Sequence, residues 1–257
     1  MVPVPSIIFM TISCLAVFGF AVGLAVFLKK KKGADLLPFF VGAAVMFLFA
    51  FVLENLVHSV VLTNTSTGSN LLLYSIYGGL MAGLFEETGR LIAFKTVLKK
   101  KLDKKANALM YGAGHGCFEA IWILGIAMIN NLIWSILINS GNTALLYSSV
   151  TEGMEAQISL TIATLISSSP FVFLAGLIER SFAIVIQISL SVFVWYAVRE
   201  KRIGYYFCAL ALHAVIDFLT AFVSGSGVSI ILVELLIGVL ALISALSAGK
   251  IYTKVIE

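Results

Sequence analysis

Seven long apolar segments dominate this chain and limit what it can fold into. A helix needs about 20 apolar residues to cross the hydrocarbon core of a bilayer, and each segment reaches that length. Only 12% of the residues are charged, about half of the fraction found in soluble domains. The sequence therefore predicts an all-α, polytopic membrane helical bundle that forms a single integral-membrane domain over residues 1–257. The predicted transmembrane helices cover residues 5–28, 36–62, 71–95, 107–135, 170–198, 203–223 and 227–249.

The basic residues indicate how these helices are oriented. Of the 17 Lys and Arg residues, all but Arg90 and Arg180 fall in connections on one side of the predicted membrane. The positive-inside rule then places the N-terminus outside and the C-terminus inside. Because this charge serves topology, no nucleic-acid partner is expected. For residues 151–169 three alternatives are open: an extra helix at the outer interface, a segment that re-enters the membrane, or an extension of the fifth helix. An eighth crossing is disfavoured, since it would break the charge alternation.

Two adjacent glutamates interrupt the third apolar segment. Glu86 and Glu87 are followed within one turn by Arg90. An ionised side chain at the centre of a transmembrane helix costs about 2.5–3.5 kcal/mol on insertion scales. Ionisable residues that persist there usually mark a functional site. This segment is therefore the first candidate for chemistry.

Two histidines on other segments lie at the same depth as the first glutamate. At 1.5 Å per residue, Glu86, His115 and His213 lie about 14, 15 and 16 Å from the basic connections at their helix ends. Each histidine is followed four residues later by an acid, Glu119 or Asp217, on the same helix face. Three helices thus present one Glu and two His near one plane.

Small residues accompany this polar cluster and predict close helix packing around it. They form a stripe on the third segment, at Ser75, Gly79 and Gly83, and a glycine-rich run over residues 111–116 on the fourth.

The remaining charged residues are interpreted more simply. Glu54 and His58 fall near the outer end of the second segment, so His58 is expected to be interfacial. Glu179 and Arg180 are expected to form an internal ion pair or a link to a neighbour. Glu234 is expected to be a neutral, hydrogen-bonded acid.

In order along the chain, the motifs are 86–90 (EETGR), His115 with Glu119, and 213–217 (HAVID). This set resembles the EExxxR, xxxH and HxxxN/D motifs of the CAAX-protease and bacteriocin-processing (CPBP, PrsW-like) superfamily of intramembrane proteases. The detailed spelling looks like the bacterial YhfC family within that group. The first motif departs from the general pattern, because the arginine is at position 90 and Leu91 occupies the expected place.

The resemblance implies an intramembrane endopeptidase in the bacterial cell membrane, embedded in the lipid bilayer and acting on a membrane protein or peptide. It implies that Glu86 activates a water molecule, with Glu87 as a supporting or alternate carboxylate and His115 helping to position the water. His213 and Asp217 would orient the peptide carbonyl or stabilise the oxyanion. Asp217 replaces an Asn that many relatives carry, which leaves its oxyanion role open.

Arg90 and Glu119 complete the predicted site as supporting residues. Two mechanisms remain open. In the favoured glutamic version, a buried carboxyl group beside a second one acts as the base, and no cofactor is needed. In the metal version, Zn²⁺ would be held by His115, His213 and either Glu86 or Glu119.

Two other functions compete with the endopeptidase. A proton-coupled transporter also uses intramembrane acids and histidines, but it predicts inverted repeats, and the sequence shows none. A non-catalytic scaffold on the same fold would retain the histidines for packing, yet it has no need for two adjacent glutamates. Peptide hydrolysis is therefore the favoured prediction.

Overall fold

The computed structural model describes residues 1–148 and 153–255, and these form helices and turns without a β-strand. Each of the seven predicted segments is helical, and the predicted ends differ from the observed ones by at most about four residues. The helices are α1 (Val4–Lys32), α2 (Leu37–Asn64), α3 (Leu71–Lys95), α4 (Ala106–Asn139), α5 (Ala144–Ser148), α6 (Glu155–Ser167), α7 (Phe171–Arg199), α8 (Gly204–Gly225) and α9 (Ile230–Thr253).

Six helices in the described residues are long and apolar enough to cross a membrane, namely α1, α2, α4, α7, α8 and α9. Helix α3 has 25 residues, but its two glutamates lower its hydropathy and it is not among the six. A multi-pass, all-α membrane protein is thus confirmed, while the count of seven crossings and the outside N-terminus stay predictions.

The predicted extra helix exists in part as α6. It has 13 residues, or about 20 Å of helix, which is too short to cross a hydrocarbon core of about 30 Å. Its interfacial position stays a prediction. Thr151 and Glu152, at the start of the predicted segment, lie outside the described residues.

The chain divides into two compact units, and the expected single domain stays a prediction. The first unit comprises Met1–Phe20 and Ala120–Arg180, and the second comprises Ala21–Glu119 and Ser181–Glu257. All the predicted catalytic and supporting residues belong to the second unit.

Polar contacts join helix ends within the first unit. The backbone N–H of Val2 donates to Asn139 Oδ1 at 2.7 Å, and Asn139 Nδ2 donates back to the Val2 carbonyl at 3.1 Å. The buried Ser13 hydroxyl donates to the Phe173 carbonyl at 2.8 Å. These bonds hold the start of α1 against α4 and α7.

Glycines let the helices of the second unit approach through their backbones, as the small-residue pattern predicts. A Cβ atom on Gly114 of α4 would overlap the Phe39 carbonyl of α2. A Cβ atom on Gly79 of α3 would overlap the Ala214 carbonyl of α8, and one on Gly83 would also meet α8 backbone. These crossings bring the polar residues of α3, α4 and α8 together.

Helix α2 contains a π-helical segment, Phe47–Glu54, with α-helix on both sides. The hydrogen bonds of a π-helix run between residues five apart, and such segments often occur at functional sites. Here the segment packs on α3, where a Cβ atom on Gly89 would meet the Phe49 ring. The segment ends at Glu54, which is buried with an exposed fraction of 6%.

The basic connections of the second unit are tied together by Asp35. Its carboxylate accepts from Lys101 at 2.9 Å and from Lys104 at 2.8 Å. Its backbone N–H donates to Asn107 Oδ1 at 2.8 Å. The connection between α1 and α2 is thereby fixed to the one between α3 and α4.

Candidate active site

Glu86 lies at the centre of a buried polar cluster formed by α3, α4, α7 and α8. His115 Nε2 is 2.9 Å from Glu86 Oε2, and His213 Nε2 is 3.8 Å from the same oxygen. Gln187 Nε2 donates to that oxygen at 3.0 Å. The exposed fractions of Glu86, His115 and His213 are 6%, 0% and 2%. The structure thus brings together the three residues that the sequence placed at one depth.

Glu87 takes a different position from Glu86, because consecutive residues of a helix are rotated by about 100°. Glu87 Oε1 is 2.7 Å from His213 Nδ1. Its other oxygen lies 3.2 Å from Arg90 Nε, an ion pair without hydrogen-bond geometry. Glu87 therefore fixes the orientation of the His213 ring, so that Nε2 faces Glu86.

Arg90 is fully buried and connects α3 to α7. Its Nη1 donates to the Gln187 carbonyl at 2.7 Å and to the Ser191 hydroxyl at 2.5 Å. Its Nη2 donates to Gln187 Oε1 at 2.6 Å. With the Glu87 ion pair, these contacts compensate the buried guanidinium, as a buried charge requires.

Gln187 is the site residue that the sequence analysis missed. Its Oε1 accepts from Arg90, while its Nε2 donates to Glu86 at 3.0 Å and to Glu119 Oε2 at 2.9 Å. The cation on one side and the carboxylates on the other fix the orientation of the amide. A polar amide within the apolar run 182–188 was the available signal, by the same reasoning that singled out the glutamates.

Asp217 and Glu119 lie at the edge of the cluster. Asp217 Oδ2 is 3.5 Å from His213 Nε2, and its side chain is 39% exposed. Glu119 accepts from Gln187, as described above, and is half-buried. All seven predicted site residues therefore belong to one connected network.

Three other predicted features lie outside this network. Glu179 and Arg180 form the predicted ion pair with each other, in the first unit. His58 Nε2 lies 3.1 Å from Glu54 Oε1, and Glu54 is buried; the interfacial position of His58 stays a prediction. The neutral state of Glu234 stays a prediction.

The donor atoms of the cluster are of the types found in zinc sites. Two imidazoles and a carboxylate form a known catalytic zinc set, in which ligand bonds of about 2.0–2.2 Å separate neighbouring donors by about 3.3 Å. The separations from Glu86 Oε2, 2.9 Å to His115 Nε2 and 3.8 Å to His213 Nε2, lie on either side of that value.

The spacing in the structure is nevertheless that of hydrogen-bonded side chains. Within residues 1–148 and 153–255, no group of three or more His, Cys, Asp or Glu side chains is arranged to hold a metal ion. A bond between His115 Nε2 and Glu86 needs a proton that metal binding would displace. The residues therefore fit zinc in the type of their donor atoms and in the approximate separation of these atoms. They do not form a preformed zinc site.

Comparison with known proteins gave one family and one curated relative. The model of a family described as YhfC intramembrane metalloprotease matches residues 15–240. An uncharacterized membrane protein of Bacillus subtilis (strain 168), YhfC, is 38% identical over 222 residues, which cover 84% of each chain. No solved structure gave a significant match.

Proposed function

Since the chain belongs to the YhfC intramembrane metalloprotease family, we propose that it hydrolyses peptide bonds in membrane-embedded or membrane-proximal segments, with water activated by Glu86. The observation that supports this most is the convergence of His115, His213 and Gln187 on one oxygen of Glu86. A buried carboxylate surrounded by oriented donors suits a base that must hold a water molecule in one position.

In this scheme Glu86 removes a proton from water, and the oxygen attacks the peptide carbonyl carbon. The proton passes from Glu86 to the leaving nitrogen as the C–N bond breaks, which yields a carboxylic acid and an amine. His213, held by Glu87 through Nδ1, directs Nε2 at the oxygen that becomes negative. His115 fixes the carboxylate of Glu86 through its 2.9 Å contact.

Asp217 and Gln187 act as positioning residues. An ionised aspartate accepts hydrogen bonds and cannot donate one to an oxyanion, so Asp217 is assigned to orienting His213 from 3.5 Å. Gln187 lies between Arg90 and the two acids. Its Oε1 accepts from Arg90, and its Nε2 donates to Glu86 and Glu119. Arg90 supplies the positive charge that balances Glu87.

The family description adds a metal to this scheme. Glu86, His115 and His213 are the residues that would hold Zn²⁺. When bound, the ion would polarise the carbonyl and generate the nucleophile from water. Glu87 would then be the carboxylate that orients a metal-bound histidine, through its contact with His213 Nδ1. Because this contact has a role in both schemes, the metal version is a full alternative to the glutamic one.

The proposal is tested by reconstituting the protein with candidate membrane substrates. Wild type is compared with Glu86→Gln, His115→Ala and His213→Ala, and we expect cleavage by wild type and by none of these three variants. Ser244→Ala serves as the matched control, because Ser244 is a buried polar residue of α9 whose hydroxyl donates to its own helix at Leu240. Equal cleavage by wild type and the three site variants would overturn the assignment.

A second measurement separates the two mechanisms. Metal content of the purified protein is determined for wild type and His115→Ala, and cleavage is assayed with and without a chelator. The zinc version predicts bound metal that the variant lacks, together with loss of cleavage on chelation. Full activity of metal-free protein would establish the glutamic version.

A further inference from the structure

Three polar side chains outside the active-site cluster form a second connected set. His58 Nε2 is 3.1 Å from Glu54 Oε1, and His58 Nδ1 is 2.9 Å from the Tyr77 hydroxyl. Both ring nitrogens are thus engaged, one by α2 and one by α3. Glu54 is an acid buried at the end of the π-helical segment, and neither the family resemblance nor the proposed mechanism uses it.

The second set is adjacent to the active-site cluster. The carboxyl group of Glu54 interacts electrostatically with Glu86, His213 and Asp217. The π-helical segment that ends at Glu54 packs on α3 beside Gly89. The buried acid of α2 therefore faces the same interior as the residues assigned to catalysis.

The set extends from the cluster toward one end of the helices. Tyr77 precedes Glu86 by nine residues on α3, which is about 14 Å of helix. His58 lies six residues before the end of α2 at Asn64, or about 9 Å. Both lead to the connection formed by residues 65–70, which we call the uncharged end because it contains no charged residue.

The opposite, basic end of the second unit, where α3 stops at Lys95, is closed. Arg90, Phe94, Leu98 and Tyr111 lie on that side of Glu86 and are exposed by at most 1%. Phe94 and Tyr111 are in ring contact at 4.7 Å. These buried side chains lie between Glu86 and the basic end.

Exposed polar groups occur on the other side of the cluster. The side chain of Asp217 is 39% exposed and that of His58 is 26% exposed. An acid at this depth is costly against lipid and is normally found facing a water-filled cavity. The exposure of these groups therefore indicates hydration that starts at the uncharged end.

We propose that Glu54, His58 and Tyr77 line a water path that reaches the Glu86 cluster from the uncharged end of the helices. The lysine-rich connections lie at the opposite, basic end. The use of this water for hydrolysis rests on the proposed function, whereas the path itself does not. Hydrolytic water, and polar parts of the substrate backbone, would enter on the side of the 65–70 connection.

The path is tested by cysteine accessibility in oriented membranes. Cys14, Cys117 and Cys208 are first replaced by Ser. Single cysteines are then introduced on the path, as Tyr77→Cys and Asp217→Cys, and on the closed side, as Ala93→Cys. Two exposed reporters, Ser66→Cys at the uncharged end and Lys100→Cys at the basic end, define the two membrane sides. A small, charged, membrane-impermeant thiol reagent is added from each side in turn.

We expect Tyr77→Cys and Asp217→Cys to react from the side that labels Ser66→Cys and not from the side that labels Lys100→Cys. Ala93→Cys should react from neither. Labelling of Asp217→Cys from the basic side, from both sides or from neither would overturn the path.

A second variant tests the role of the buried acid in the path. Glu54→Leu in the Asp217→Cys protein should abolish labelling at Asp217, because an apolar side chain replaces the carboxyl group that the water contacts. Asn55→Leu, at the exposed neighbouring position, should leave labelling intact. Equal labelling of the two variants, measured on protein that elutes as a folded species, would remove Glu54 from the path.

These results are independent of catalysis. The labelling pattern is repeated in a Glu86→Gln background, where it should be unchanged even if the protein proves not to be a protease. Cleavage that persists while labelling fails would overturn the path alone.

Discussion

Arg90 shows how a single buried charge positions this site. Its side chain is completely buried, and its three nitrogens contact Glu87, Gln187 and Ser191. Glu86, the residue assigned to water activation, is not among these hydrogen-bond and ion-pair partners. We therefore interpret Arg90 as a structural cation that fixes α3 against α7 and balances one of the two adjacent glutamates.

Removing this charge should be strongly destabilising. Arg90→Met leaves Glu87 buried without its cation, and breaking a buried ion pair in this way costs about 3–5 kcal/mol. We expect the free energy of unfolding in detergent to fall by that amount, and the double variant Arg90→Met/Glu87→Gln to recover part of it. Arg202→Met, at an exposed position, is the control. A loss no larger than that of Arg202→Met would show that Arg90 is not a structural cation.

Helix α4 owes its position to glycines on two of its faces. Gly114 allows contact with the α2 backbone, while Gly112 and Gly116 allow contact with the α7 backbone at Ile188 and Ile184. Because His115 lies between these glycines, the same close approach brings its ring to Glu86. Helix packing and site geometry therefore depend on the same short run of residues.

Gly114→Ala should disrupt this packing. The new methyl group would overlap the backbone carbonyl of Phe39, which cannot rotate away as a side chain could. Overpacking of this kind costs about 1–3 kcal/mol, and the thermal midpoint in detergent should fall accordingly. Gly23→Ala, in α1, meets no atom within 4 Å and should stabilise by up to about 1 kcal/mol through helix propensity. Similar midpoints for the two variants would contradict the close approach of α2 and α4.

The elements and the depth of the cluster were predictable, because both follow from counting residues along apolar segments. The rotation of each helix about its axis was not. The π-helical segment Phe47–Glu54 changes the register of α2, and nothing in its sequence, which is apolar up to Glu54, predicts that change. The burial of Glu54 was missed for this reason. Gln187 was missed because a single amide carries no formal charge, although its contacts with Glu86 and Arg90 depend on the same rotation.

At the scale of the molecule, ion pairs of Asp35 with two lysines join two connections of the second unit at its basic end. Asp35 lies between α1 and α2, and its partners Lys101 and Lys104 lie between α3 and α4. These ion pairs, which we call the Asp35 clamp, therefore connect two segments that are separated by two helices in sequence. The clamp also draws two lysines toward an acid at the end where the other basic residues repel one another.

This clamp predicts a specific dependence of stability on pH. Hydrogen bonds from Lys104 and then Lys101 hold the pKa of the Asp35 carboxyl well below its usual range. Folding therefore favours the ionised form, and the stabilisation is fully present above the unfolded-state pKa of about 3.9. It is lost as the pH falls through the lower pKa of the folded state. The stability difference between wild type and Asp35→Asn should be constant from about pH 7 to 5 and should shrink below about pH 4.

The measurement is the thermal midpoint of both proteins in detergent across that pH range. Asp103→Asn provides the matched control, because Asp103 is an exposed carboxylate in the same connection as the two lysines. The attraction between Asp35 and the two lysines should also weaken as the ionic strength rises, since partly exposed charges are screened by salt. The difference between wild type and Asp35→Asn should therefore decrease when salt is added at neutral pH. A difference that persists unchanged in acid and in salt would show that the Asp35 side chain does not stabilise the fold through its charge.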